Sequence, residues 1–137
     1  MRAVEHDGTR YLLVTKSGDS SRVRDPATGE ERYLPTDELR MLDADPLEAV
    51  ADAISDPVRR LVRAARDDRT LGLALELRSK PRSARELMNS YGLCESDALG
   101  LLTELRVAGL VAETTVGGKR GYELTDAGER AVETLLS

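Results

Sequence analysis

The stretch SARELMNSYGLCESDALGLLTELRVAGLVAETTVGGKRGYELTDAG, residues 83–128, decides the fold of this 137-residue chain. Its first part holds two helical patterns. Ser83 is a suitable N-cap for the first helix, and Glu86 three residues later completes a capping box. The second helix covers residues 95–107 and ends before Gly109, a residue that favours helix termination. Two helices joined by a turn of about four residues predict a helix-turn-helix, with the longer helix second.

A β-hairpin pattern follows the second helix. Residues 111–116 and 122–124 have the composition of two strands. Between them, residues 117–121 form a glycine-flanked tip that carries Lys119 and Arg120. The sequence therefore predicts a hairpin whose loop presents two adjacent cations, followed by a last amphipathic helix.

Helical patterns also precede the quoted stretch. Residues 70–78 predict a helix rich in leucine, and residues 46–66 carry apolar residues at helical spacing. The opposite face of the latter segment is basic. We interpret it either as solvated surface or as a set of phosphate contacts; its residues are Arg59, Arg60, Arg63 and Arg66.

The N-terminal part of the chain has the period of strands. Residues 2–40 contain short β-branched runs separated by turn clusters, which predicts an antiparallel meander of three or four strands. We therefore expect an α+β, mainly helical protein. Its parts are a small β-meander (1–45), a helical connector (46–68) and a winged helix-turn-helix domain (69–137).

Composition narrows the classes of function. There is no Phe or Trp and only four Tyr, so the core must be aliphatic. The single cysteine, Cys94, excludes an intrachain disulfide and a cysteine-rich zinc site. We expect it to be a small buried residue, with redox sensing as the alternative. His6, the one histidine, is expected at the surface. No catalytic set of side chains can be assembled, so we expect no enzyme, no metal and no cofactor.

Charge argues against a simple nucleic-acid binder. The chain has a net charge of −5, and residues 69–137 hold 9 basic against 10 acidic side chains. The excess of Arg over Lys, 17 to 3, with abundant acids, is typical of a high-GC genome and suggests a salt-adapted cytoplasm. In strong salt, a negative net charge argues less strongly against DNA binding, because counterion release contributes less to the affinity. No segment predicts a leader or a membrane span, so we expect a soluble, cytoplasmic protein.

The C-terminal half resembles the winged-helix transcriptional regulators of bacteria and archaea of the MarR, PadR and TrmB-like kind. The matching stretches are residues 105–111, the tip 117–121, and residues 122–128. The last of these fits the recurring pattern Tyr-x-Leu-Thr-x-x-Gly. The whole chain also resembles winged-helix proteins of halophilic archaea that have a short β-rich N-terminus.

The aliphatic stripes of residues 126–136, with 46–66 as a further candidate, predict the interface of a homodimer. The resemblance implies a regulator that binds double-stranded DNA. It places the helix 95–107 in the major groove and the hairpin tip against phosphates or the minor groove. Two acids in the first turn of that helix, Glu95 and Asp97, oppose this role. The residues implied in DNA binding are Arg82, Ser83, Arg85, Ser96, Asp97, Thr103, Arg106, Lys119 and Arg120.

A second hypothesis is a winged helix that binds protein instead of DNA. It rests on the acidic first turn and would make the chain an adaptor of the transcription or replication machinery, with the meander offering an edge strand. The sequence names neither an effector nor an operator.

Overall fold

The computed structural model describes all 137 residues as two units, Met1–Ile54 and Ser55–Ser137. This division differs from the three parts expected from the sequence, because the connector 46–68 contributes to both units. Its first helix packs on N-terminal strands, and its second packs on C-terminal helices. The two helices of the connector thus pack into two different cores, one in each unit.

The first unit is an antiparallel sheet with one short α-helix, α1 (Pro46–Ala51), packed on it, and a 3-10 helix, Thr36–Glu38, between its last two strands in chain order. The strands lie in the order β4-β3-β2-β1-β5, so the last strand pairs with the first. The sequence predicted three or four strands, and the structure has five because a two-residue strand closes one edge. The strands are β1 (Arg2–His6), β2 (Thr9–Thr15), β3 (Ser20–Arg24), β4 (Glu31–Pro35) and β5 (Arg40–Met41).

This sheet buries side chains on both of its faces. Val4 and Tyr11 belong to one buried cluster. Successive strand residues point to opposite faces, so Ala3 and Leu12, which are also buried, face the other way. There α1 packs against β1 and β2 and buries Ala49. The helix thus supplies the second layer that a thin meander lacks alone.

The second unit has five helices and a three-stranded sheet in the order β6-β8-β7. Its order of elements is helix, helix, strand, helix, helix, hairpin, helix, which is the predicted winged helix-turn-helix. The elements are α2 (Asp56–Ala64), α3 (Asp68–Glu76), β6 (Arg82–Ser83), α4 (Ala84–Tyr91), α5 (Glu95–Val107), β7 (Val111–Val116), β8 (Lys119–Leu124) and α6 (Asp126–Leu136).

The core of the second unit is aliphatic, as the composition predicted. Tyr122 is its one buried aromatic side chain and is 1% exposed. Around it pack buried side chains from all five helices and from both hairpin strands, among them Leu61, Leu77, Leu87, Leu102, Leu105, Leu110 and Val132.

Helix α3 begins two residues before the predicted position, because Asp67 is its N-cap. One carboxylate oxygen of Asp67 accepts the backbone N–H of Thr70 at 2.9 Å and the Thr70 hydroxyl at 2.8 Å. These two hydrogen bonds, the backbone one first, lower the pKa of Asp67 below its ordinary value. The buried Thr70 hydroxyl is thereby satisfied.

The Tyr-x-Leu-Thr-x-x-Gly pattern has a structural explanation. Thr125 is the N-cap of α6: its hydroxyl accepts the Gly128 N–H at 3.1 Å and donates to the Gly109 carbonyl at 2.7 Å. Gly128 lies so close to the chain after α5 that a Cβ there would be 2.1 Å from the Leu110 carbonyl oxygen. The pattern therefore fixes the start of α6 against the end of α5.

Candidate nucleic-acid interface

Helix α5 offers a small, uncharged outer face. Ala98, Leu102 and Leu105 are buried in the core. On the opposite side, positions at helical spacing share one exposed face. We call this the α5 outer face; it consists of Ser96, Gly100, Thr103 and Val107.

Val107 was not among the residues predicted for this site, yet it is 84% exposed. An apolar side chain so exposed at the end of a long helix is a feature that a partner could cover. The spacing of 96, 100, 103 and 107 was available from the sequence and would have identified it.

The acidic first turn of α5 has a structural role. Cys94 is the N-cap residue but makes no capping hydrogen bond with its side chain. Glu95 and Asp97 stand where negative charge stabilises the positive end of the helix dipole. Asp97 and Ser96, both predicted to contact DNA, are exposed. The acids thus compensate for a weak cap.

Cys94 was predicted to be buried, and this prediction was wrong. Its side chain is exposed, and its Sγ lies 3.3 Å from the Ser96 Oγ. The apolar residue of this turn is Leu93, which is half-buried beside Leu73 of α3 and Leu101 of α5.

Arg106, the only cation within α5, is paired. Its Nη1 lies 3.1 Å from a carboxylate oxygen of Glu113 on β7, and both side chains are a little under half exposed. Surface pairs of this kind contribute about 0–1 kcal/mol, so the guanidinium can exchange partners. Arg106 can therefore leave Glu113 and pair with another anion.

Arg82 has a structural position inside the unit. Its side chain is 17% exposed, its Nε donates to the Glu76 carbonyl at 3.1 Å, and its Nη1 lies 3.8 Å from Glu86. It joins the end of α3 to the start of α4. Because these contacts engage the guanidinium, Arg82 does not support DNA binding.

The predicted capping box at α4 is half present. Ser83 accepts the Glu86 backbone N–H at 3.1 Å, as predicted. The Glu86 carboxylate lies instead near Arg82 and Lys80, at 3.8 Å from each. Ser83 therefore acts first as a helix cap. Arg85, in the first turn of α4, is exposed and has no ion pair.

The hairpin tip is shorter than predicted. Gly117 and Gly118 alone form the turn, both with positive φ, as the favoured two-residue hairpin turn requires. Lys119 and Arg120 belong to β8, where consecutive side chains point to opposite faces. Both are exposed without ion pairs. The hairpin thus presents one cation on each face, not two on one loop.

The small sheet gathers three of the predicted cations at one end. In the β6–β8 pairing, Ser83 lies opposite Gly121. Because α4 begins directly after Ser83 and Arg120 directly precedes Gly121, the start of α4 lies next to the cationic end of β8. The cations at this end are Arg85, Lys119 and Arg120. Thr103, also predicted, is exposed on the α5 outer face.

A second group of cations lies beside α5, on α2 and just after it, and the sequence left its role open. A groove of about 430 Å³ runs between the two helices. Arg60, Arg63 and Arg66 line one side, and Thr103, Glu104 and Val107 line the other. We call this the α2–α5 groove.

Other kinds of site find little support among these residues. No group of three or more His, Cys, Asp or Glu side chains is placed to hold a metal ion. None of the helices combines the length and the apolar character needed to cross a bilayer. His6 is partly buried near the surface, 3.1 Å from Glu38 and 3.6 Å from Asp7, and both acids are exposed.

Solved structures of the protein HlyU from two Vibrio species resemble the chain. HlyU from Vibrio cholerae N16961 is 26% identical, with a TM-score of 0.51 over 59% of this chain and 89% of its own. The transcriptional regulator HlyU from Vibrio vulnificus CMCP6 is 22% identical, with a TM-score of 0.53 over 67% and 96%. These likenesses confirm the α+β winged-helix regulator fold.

The family assignment concerns the whole chain. None of the curated proteins matches it in sequence. A family model does: its description is "Family of unknown function (DUF7346)", and the match covers residues 1–136, which includes both units. The chain therefore belongs to the family DUF7346.

Proposed function

We propose that this protein is a DNA-binding transcriptional regulator that reads double-stranded DNA with its winged helix. The observation that carries the proposal is the β6–β8 pairing of a winged-helix fold, which sets the start of α4, with the unpaired Arg85, beside the end of β8 that carries the unpaired Lys119 and Arg120. The likeness to HlyU, whose Vibrio vulnificus form is titled a transcriptional regulator, supports the fold on which it rests.

In this proposal, the cations supply the affinity for DNA, and α5 supplies the contacts to the bases. Arg85 and the two β8 cations contact phosphates, which position the protein without reading sequence. The α5 outer face enters the major groove. Its Thr103 and Val107 methyl groups suit contact with thymine methyls, and Ser96 suits hydrogen bonding to base edges. No guanine-reading arginine stands on this face.

Gly100 supports a close approach at the centre of this face. It lies within α5, where glycine is less stable than alanine by about 0.5–1 kcal/mol. Nothing inside the protein requires it, because a Cβ at this position would meet no atom within 4 Å. A helix glycine with open space outside is suited to a partner that approaches the backbone.

We further propose that the regulator is a homodimer that works in the cytoplasm, in line with the MarR, PadR and TrmB-like resemblance. Helices α2 and α6 pack against each other and leave Val62, Leu135 and Leu136 exposed. These side chains are suited to a two-fold helical interface. Light scattering coupled to size-exclusion chromatography should give the mass of two chains, and Val62→Asp should return it to one.

The central experiment selects a binding site from random-sequence DNA and measures affinity for it across a salt series. The double substitution Lys119→Ala with Arg120→Ala should weaken binding and lower the salt slope by about 0.9 for each phosphate that is no longer neutralised. The charge-matched control is Lys16→Ala with Arg78→Ala, two exposed cations outside the hairpin. An equal loss of affinity in both double variants would contradict the role of the hairpin.

A protein-interaction module is the second candidate. The acidic first turn of α5 and the exposure of Val107 favour it. Crosslinking and immunoprecipitation across the genome separates the two functions. Discrete peaks that share one sequence support DNA reading. Diffuse signal, together with no enriched sequence from random DNA, supports the adaptor.

A further inference from the structure

The α2–α5 groove combines positive charge with an apolar wall. Three arginines and one carboxylate, Glu104, line it, so its lining carries an excess of positive charge. Ala64, Val107 and Ala108 supply apolar surface between them. Its volume of about 430 Å³ is large enough for a phosphate and the sugar attached to it.

The three arginines are not equally committed to partners. The Arg60 Nε lies 2.9 Å from Asp56 one helical turn earlier. The Arg66 Nε lies 3.7 Å from Glu104, too far for a hydrogen bond, and its side chain is 78% exposed. Arg63 has no carboxylate partner and is exposed. Two guanidinium groups in this groove therefore retain donors for an anion.

Guanidinium groups suit phosphate because their planar fork donates two parallel hydrogen bonds to phosphate oxygens. Arg60 and Arg63 are three residues apart and so lie on the same side of α2. Arg66 follows just after the helix ends. The apolar wall from Val107 suits the deoxyribose that accompanies each phosphate. The chemistry of the groove is thus that of a sugar-phosphate.

The position of the groove indicates where that phosphate comes from. Thr103 and Val107 belong both to the groove and to the α5 outer face. A DNA duplex whose major groove contains that face has a backbone strand along each side of α5. One side of α5 is the side of α2, so a phosphate there is within reach of the arginines.

We propose that the α2–α5 groove is a second phosphate-binding site, which holds a backbone phosphate of the DNA strand beside α5 through Arg63 and Arg66. This inference rests on the proposed function. Glu104 acts against it, since its carboxylate repels the phosphate and attracts Arg66. Part of the acidity of the chain thereby limits its affinity for DNA.

The test uses the full chain and the DNA site selected from random sequence. Arg63→Ala with Arg66→Ala should weaken binding by about tenfold or more and lower the salt slope by about 0.9 for each phosphate released from the groove. Glu104→Gln should act in the opposite direction, with tighter binding. A gain of affinity cannot come from misfolding. Lys16→Ala with Arg78→Ala, two exposed cations outside the groove, is the charge-matched control.

A structural role of the arginines at the end of α2 gives different results. Thermal unfolding of each variant measures that role, because cations stabilise the C-terminal end of a helix. If the double variant loses stability but keeps the affinity and the salt slope, the inference is overturned. If the wild-type chain binds no DNA, the proposed function fails as well, so the two failures are distinguishable.

A soluble phosphate is the other source of the same chemistry. Titration of the wild-type chain with inorganic pyrophosphate, followed by nuclear magnetic resonance of the arginine side chains, examines this source. Saturation at micromolar pyrophosphate, with DNA affinity unchanged in the double variant, would assign the groove to a free anion and overturn the inference. Weak, salt-sensitive shifts together with reduced DNA affinity support it.

Discussion

Helices α2 and α5 pack against each other in the second unit but offer opposite chemistry. The outer face of α5 is small and uncharged. The one cation of the helix, Arg106, lies outside this face and is paired with Glu113. The neighbouring α2 and the residues just after it carry the arginines of the groove, of which Arg63 is unpaired. The contrast teaches that the helix expected to read DNA need not hold the charge that binds it, since phosphate contacts position and base contacts specify.

The contrast between α2 and α5 depends first on helix α6. This helix packs against α2, and its first residues lie against the end of α5. Gly128→Ala should have the largest effect, because its Cβ would lie 2.1 Å from the Leu110 carbonyl oxygen. We expect a loss of about 3 kcal/mol in the free energy of unfolding, measured by urea denaturation. Gly72→Ala, whose Cβ would meet nothing within 4 Å, is the control and should not destabilise the protein.

Gly100→Ala tests the neutral helix face. The substitution should raise the free energy of unfolding by about 0.5–1 kcal/mol, because alanine is the better helix former. Affinity for the selected DNA site should nevertheless fall, since the methyl group occupies the closest approach. Denaturation and DNA titration of the same preparation measure both quantities. Unchanged affinity would show that no partner approaches α5 at this position.

Glu113→Gln tests whether the ion pair with Glu113 keeps Arg106 from contacting DNA. Without the carboxylate 3.1 Å away, Arg106 is free to contact phosphate. Since exposed pairs contribute about 0–1 kcal/mol, we expect at most a few-fold tighter DNA binding and little change in stability. A DNA titration at low salt measures it, with Glu123→Gln on the same hairpin as the control. Equal increases of affinity in both variants would indicate a general charge effect.

Asp67 provides the smallest effect, which depends on pH. Its pKa is lowered in the folded state by hydrogen bonds from Thr70. The stabilisation is therefore fully present above the unfolded pKa, about 3.9, and is lost as pH falls through the folded value. Asp67→Ala should reduce the fall in stability below that pH, as measured by thermal unfolding between neutral and acidic buffers. An identical pH profile would contradict the capping role.

Much of the second unit could be predicted from local signals. The Ser83 cap and the Thr125 cap are short-range hydrogen bonds, so a few residues suffice to specify them. The same holds for the hairpin, since two glycines with positive φ specify its turn. These local rules explain why the fold was predicted correctly.

The site was harder to predict, because partners on other elements of the fold decide which cations are available. Nothing near Arg82 in the sequence indicates that it donates to the Glu76 carbonyl. Likewise, Arg106 pairs with a residue on another element. Cys94 is exposed although it lies beside the half-buried Leu93 in the same turn. The groove between α2 and α5 brings together residues some forty positions apart, and no periodicity within either helix predicts such a pairing.

The neutral outer face of α5 also has a consequence for how such a regulator diversifies. Ser96, Gly100, Thr103 and Val107 are not among the buried core residues, and no ion pair involves them. They can therefore be exchanged with little cost to folding and without altering the cations of the hairpin and of the α2–α5 groove. In a regulator of this design, a new target sequence can be acquired through a few surface substitutions while the affinity for DNA in general is retained.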